Sequence, residues 1–160
     1  MRFLPLIIII TFLSCKSIEK ANPIEKTTEN IVFTELSKGT NGNFTDKLTK
    51  VVTNQTDFNS IWTAAHERFS EQPKPPRIDF ENKMIVLVAM GIQNSGGHTI
   101  EISSALESKS DIIINILETT PGTTCVSSDV MTFPYQIVEL KKSEKQVVFK
   151  TSNKVYECEE

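Results

Sequence analysis

The residues able to do chemistry are few: two histidines, His66 and His98, and three cysteines, Cys15, Cys125 and Cys158. A metal centre needs several His, Cys or carboxylate ligands converging at short spacing. Neither histidine has such a neighbour at ligand spacing, so no metal site is expected. A catalytic thiol needs a base beside it, and "PGTTCVSSD" around Cys125 supplies no histidine. "QNSGG" lacks the leading glycine of a nucleophile elbow and leads into a strand instead of joining strand to helix. No glycine-rich loop opens a helix, so neither a phosphate cradle nor a cofactor is expected. Asp79 and Glu81 flank Phe80 on one strand face, a spacing that usually means solvated acids. The expectation is a protein without catalytic residues. An enzyme would have to assemble His66 or His98 with distant partners.

What remains is sulfur chemistry of two kinds. The leader "MRFLPLIIIITFLSC" has one cation, Arg2, then an apolar run from Phe3 to Leu13 and a small residue before Cys15. Spanning a bilayer as a helix takes about 20 apolar residues, so this run fits a signal peptide and not an anchor. Its "FLSC" ending resembles a bacterial lipoprotein cleavage box, with Cys15 as the lipidated first residue. Residues 1–14 are therefore expected to be a signal peptide and 15–30 a polar tether. Residues 31–160 make a single domain, and the expected location is the cell envelope, lipid-anchored to the outer membrane on its periplasmic or surface side. In that oxidising setting Cys125 and Cys158 form an even pair. A disulfide between them would staple the C-terminus, a stabilisation of about 3.7 kcal/mol in the chain-entropy model.

These groups have to be positioned by a modest set of elements. "IVFTEL" (31–36) and "KLTKVVTN" (47–54) read as strands, separated by the glycine- and asparagine-rich "KGTNGNFTD". In "TDFNSIWTAAHERF", Phe58, Ile61, Trp62, Ala65 and Phe69 fall on one helical stripe. Asn54 or Thr56 can cap this helix, and Asp57 in the first turn suits its dipole. Trp62 and Phe69 are expected as core anchors, with His66 at the boundary or facing solvent. "SEQPKPPR" (70–77) then carries the chain onward as an extended connection.

Met84 to Met90 is the longest apolar run of the mature chain, and it predicts a central strand buried on both faces. Ile100 and Ile102 alternate with polar residues in a half-exposed strand. "DIIINILE" (111–118) is another strand, bounded by the "TTPGTT" turn. "FPYQIVEL" (133–140), "KKSEK" and "QVVFKTS" (146–152) read as a hairpin. About seven strands and one helix, without βαβ alternation, predict an α+β fold. That fold is mainly an antiparallel β-sheet, or a small barrel or sandwich, with one amphipathic helix.

Between the central strand and the next lies "GIQNSGGH". Gly96 and Gly97 suit a reversal between strands 83–91 and 98–104, where positive φ is needed. Gln93, Asn94, Ser95, Gly96, Gly97 and His98 are also the expected binding loop, since loops on rigid scaffolds commonly carry recognition. A net charge of −3 gives no basic field, which sets nucleic acid aside as a partner.

Six segments in this order resemble the PrcB C-terminal domain family: "DFNSIW", "QPKPP", "IDFENKMIVLVAMG", "QNSGGHTIEI", "TTPGTTC" and "FPYQIVELKKSEKQVVF". The family is named for the lipoprotein subunit of a spirochaete outer-sheath protease complex, and stand-alone bacterial lipoproteins carry the same domain. His98 stands where the family commonly has an aromatic residue after the paired glycines. The resemblance implies a non-catalytic, lipid-anchored envelope module whose partner is an exported or surface protein, a protease among them. The alternative rests on "NSGGHTIEI", which is similar to a loop of chagasin-like inhibitors of cysteine peptidases. "PG" and "FPY" would then supply the other two inhibitory loops.

Overall fold

The computed structural model describes residues 28–158. The leader, Cys15 and most of the expected tether lie outside the described residues. Eight strands and one helix follow in the order β1 (Glu29–Ile31), β2 (Phe33–Gly39), β3 (Lys47–Val52), α1 (Gln55–His66), β4 (Lys83–Met90), β5 (Thr99–Glu107), β6 (Asp111–Pro121), β7 (Tyr135–Lys141) and β8 (Gln146–Tyr156). They make two four-stranded sheets, β2-β7-β4-β3 and β1-β5-β6-β8, called here the β4 sheet and the β8 sheet. Every pairing is antiparallel except β6 with β8, which is parallel. The architecture is an α+β sandwich.

Layer order follows from where apolar residues fall. In β4, Ile85, Leu87 and Ala89 pack with Phe58, Ile61, Trp62 and Ala65 of α1. The alternate residues Met84, Val86 and Val88 pack with Ile100, Ile102, Ile112, Ile114 and Ile116 of the β8 sheet. Strand side chains alternate between faces, so an uninterrupted apolar run is what a strand between two cores requires. The central strand expected from Met84–Met90 is present.

Helix α1 begins where Asn54, in extended conformation at φ −145° and ψ 156°, accepts a hydrogen bond from the Asp57 amide. That bond satisfies one of the amides left unpaired at a helix start. The helix ends at His66, however, and Phe69 lies beyond it at 47% exposure, so Phe69 is not the core anchor its spacing suggests. His66 is also placed otherwise than expected: it is 7% exposed. Its Nδ1 lies 2.8 Å from the Trp62 carbonyl and its Nε2 lies 3.1 Å from Ser37 Oγ. A carbonyl only accepts, so Nδ1 donates and Nε2 accepts from Ser37, whose Oγ lies 3.0 Å from the Tyr135 hydroxyl. This chain of bonds ties α1 to β2 and β7. The proline-rich connector is bound to the same helix, with Trp62 Nε1 donating to the Pro73 carbonyl and Gln55 Nε2 to that of Pro76.

Two expected hairpins are absent. β7 and β8 follow one another in sequence but belong to different sheets, and β8 crosses over to pair with β6. β4 and β5 are likewise in different sheets, so 91–98 links the two layers and does not reverse the chain within one. At the start, the first strand divides at Val32, 89% exposed, into β1 and β2. β1 begins at Glu29, inside the stretch read as tether. β6 continues through Thr119–Pro121, into the expected "TTPGTT" turn.

Polar clasps join the sheets. Gln136 of β7 accepts from the Ile102 amide of β5 at 2.6 Å and donates to Glu35 at 2.6 Å. Glu118 of β6, 6% exposed, meets Lys47 of β3 at 2.6 Å, a close charge contact without hydrogen-bond alignment. Lys38 of β2 reaches Glu101 of β5 at 2.7 Å.

Candidate binding site

The link from β4 to β5 departs at Gly91, whose φ of +80° strains any side chain. A Cβ there would also sit 2.9 Å from the Lys47 amide nitrogen, which a β-carbon cannot do. Gly97 has φ +86°, and a Cβ on it would approach the Tyr156 hydroxyl to 2.7 Å. Left-handed backbone thus occurs at Gly91 and Gly97, and Gly96, expected to share it, does not adopt it.

The link is bound along its length by the segment after β6. Gln93 and Thr132 exchange both backbone hydrogen bonds, at 2.8 and 2.9 Å. The Gly96 amide donates to the Ser128 carbonyl at 3.0 Å, and Thr132 Oγ1 donates to the Ser95 carbonyl at 2.9 Å. The end of β8 completes the arrangement. Tyr156 accepts from the Gly122 amide through its carbonyl at 2.7 Å, and its hydroxyl donates to the Gly97 carbonyl at 3.4 Å. Cys125 and Cys158 are joined in a disulfide across 33 residues, and Thr124 Oγ1 donates to Glu157 beside it at 2.7 Å. Three separate stretches, 91–98, 121–132 and 156–158, therefore hold one another at one end of the sandwich. The disulfide is the one expected from the even cysteine pair, whereas Tyr156 and the loop pairing are brought in from far along the chain and left no sign in local spacing.

Of the expected loop residues, Asn94 is exposed and Gln93, Ser95 and His98 are half-buried. Ser95 Oγ lies 3.2 Å from His98 Nε2. A serine–histidine contact invites comparison with a hydrolase, yet His98 Nδ1 is buried without a hydrogen-bond partner. Among the described residues no third group orients the ring as a general base would need. What the end does display is apolar: Ile92, Val126, Val130 and Met131 are exposed on the two bound loops. Sequence pattern did not single these four out, because exposed aliphatic residues are common and only their shared location gives them meaning. The "FPY" of the inhibitor-like reading is in the core, with Phe133, Pro134 and Tyr135 all buried. Those residues cannot form a displayed third loop. Asp79 and Glu81 belong to a turn before β4, where Asp79 accepts from Asn82 Nδ2 at 2.8 Å. That bond holds the Asp79 carboxyl below its usual range. Among the described residues there is no group of three or more His, Cys, Asp or Glu placed to hold a metal ion.

No curated protein and no solved structure gives a significant match to this chain. A family model does. The one described as PrcB C-terminal matches residues 84–141, which begin in β4, run through β5 and β6, and end with β7. The matched span holds both loops that bind one another at the displayed end. Over residues 84–141 the chain is similar to the PrcB C-terminal family.

Proposed function

We propose that this protein is a lipid-anchored, non-catalytic docking module of the cell envelope, and that it associates with an exported protein, a protease complex by family likeness. The family match over 84–141 carries this reading. The placement of the displayed end supports it. β1 pairs Glu29 with Glu107, at the far end of β5 from Thr99 and the 91–98 link. At about 3.3 Å per residue, the nine residues of β5 put roughly 30 Å between the two ends. A chain tethered through Cys15 enters the fold at the end away from Ile92, Val130 and Met131. Those residues then face outward, free to meet a partner.

Purification from the native envelope in mild detergent, after light cross-linking, tests this reading. One envelope protein should co-purify in fixed ratio with the wild type and be lost from a Val130→Glu/Met131→Glu variant. A fatty-acyl label should be present on the wild type and absent from Cys15→Ser. Recovery of the wild-type chain alone would overturn the docking role, and an unlabelled wild type would overturn the anchor.

A further inference from the structure

The edges of the two sheets are protected unequally. An open strand edge is a row of unpaired N–H and C=O groups, and proteins blunt such edges with bulges, short strands, lysines or covering groups. β1 is only three residues long. The length of β5 that β1 leaves uncovered is broken by a bulge between Ile102 and Ser104, and Gln136 occupies the Ile102 amide. β2 has a bulge between Glu35 and Ser37. β3 is six residues long and carries Lys47 and Lys50.

β8 also carries two lysines, Lys150 and Lys154, but differs from the other edges in length and regularity. Its eleven residues keep unbroken register with β6, from Asp111↔Gln146 to Pro121↔Tyr156. No strand lies on its other side among the described residues. It contains neither proline nor glycine, and residues 150–155 are all exposed. A regular strand of this length offers about 36 Å of free edge.

We propose that β8 is a strand-addition site for an extended, acidic segment of the partner. This specifies how the docking module described above grips its partner, and it rests on that reading. The backbone edge fixes the shape of the ligand, since only another extended strand satisfies alternate N–H and C=O groups. Charge fixes its chemistry. Lys150 and Lys154 lie four residues apart and so on one face of the strand. Their neighbours on β6 are Asn115 and Thr119, both neutral, and neither lysine is in an ion pair among the described residues. A strand laid along the open side brings its side chains within about 5 Å of them, so carboxylates spaced four residues apart complete both pairs. On the opposite face Thr151, Asn153 and Val155, the last 61% exposed, lack a covering layer and leave room for small or apolar side chains. The same lysines work against a second copy of this chain, because antiparallel self-pairing gathers four cations along one edge.

Fluorescence anisotropy with the full-length protein tests the assignment, using terminally blocked, labelled peptides. One peptide alternates glutamate with threonine, a second alternates lysine with threonine, and a third is the glutamate peptide with a central proline. The glutamate peptide should bind, and the other two should bind at least about tenfold more weakly, as two exposed ion pairs and a continuous backbone ladder imply. Lys150→Glu/Lys154→Glu should invert the preference, and Lys150→Gln/Lys154→Gln should abolish it, with circular dichroism confirming that both remain folded. Hydrogen exchange should slow within 146–155 on peptide binding. Equal affinity for the lysine peptide, protection elsewhere, or a concentration-dependent dimer protected at β8 would overturn the proposal. The envelope purification separates this failure from failure of the docking role. Capture that survives the β8 charge reversal, with no peptide bound, overturns the edge alone; absence of capture by the wild type overturns the docking role itself.

Discussion

The β4 sheet and the β8 sheet have four strands each and share one apolar layer, but their second faces meet different surroundings. α1 and its connector cover the outer face of the β4 sheet, so Ile85, Leu87 and Ala89 are as buried as Met84, Val86 and Val88. Among the described residues no helix covers the outer face of the β8 sheet, and residues such as Asn115 and Lys150 remain half-buried or exposed there. Strength is therefore concentrated in one sheet, while the other offers open backbone and a clasped set of loops. The docking role proposed above would use both: a scaffold that does not yield and a surface left unfinished.

The largest test of that contrast is truncation on the two sheets. Leu87→Ala opens a cavity beneath α1 and should cost about 2–5 kcal/mol in urea unfolding, whereas half-buried Leu117→Ala in β6 should cost less than about 1 kcal/mol. Equal losses would show that the β8 sheet is packed as firmly as its neighbour. Breaking the Cys125–Cys158 bond comes next. Its loss by Cys125→Ser should cost about 2–4 kcal/mol. Hydrogen exchange should then rise first at 122–132 and the end of β8 while β4 stays protected. Uniform exchange across both sheets would contradict that order.

The smallest effect concerns Tyr135, 1% exposed, whose hydroxyl is held above the ordinary tyrosine value of 10.0 by burial, against the opposing effect of its hydrogen bond with Ser37. The folded state keeps this proton longer than the unfolded chain does. Its contribution is therefore complete below the unfolded value and is lost as pH rises through the folded one. Tyr135→Phe should cost about 1 kcal/mol at neutral pH. The variant should lose stability less steeply than wild type above pH 10.0, measured by thermal unfolding along a pH series. Parallel curves would remove Tyr135 from the account of alkaline unfolding.

Sequence made the local elements legible and hid the ones decided at a distance. The uninterrupted apolarity of 84–90 announces burial on two faces, and Asn54 with Asp57 and the stripe from Phe58 to Ala65 announces a capped helix. Both signals are confined to one segment, and both elements are present. The hairpin expected around "KKSEK" fails because a turn signal says that the chain bends, not which sheet receives the next strand. β8 is drawn away by the apolar contacts of Val147 and Phe149 with the layer beneath β6. His66 was expected at the boundary because its partners, Ser37 and Tyr135, lie 29 and 69 positions away in sequence, as their pairings with it and with each other show. At the displayed end the left-handed backbone at Gly97 was legible, while the same expectation for Gly96 failed. The pairing of Gln93 with Thr132 and the seal made by Tyr156 were not legible, since neither follows from spacing.

The chain changes sheets repeatedly: β1 in one, β2 to β4 in the other, β5 and β6 back, then β7 and finally β8. Neither layer is a contiguous piece of polypeptide, so neither can be inherited, excised or assembled as a unit. A nick in the exposed stretch between α1 and β4 would leave two fragments threaded through each other's hydrogen-bond ladders, β2 on β7, β3 on β4 and β1 on β5. Such interlacing means that one severed peptide bond need not release either part.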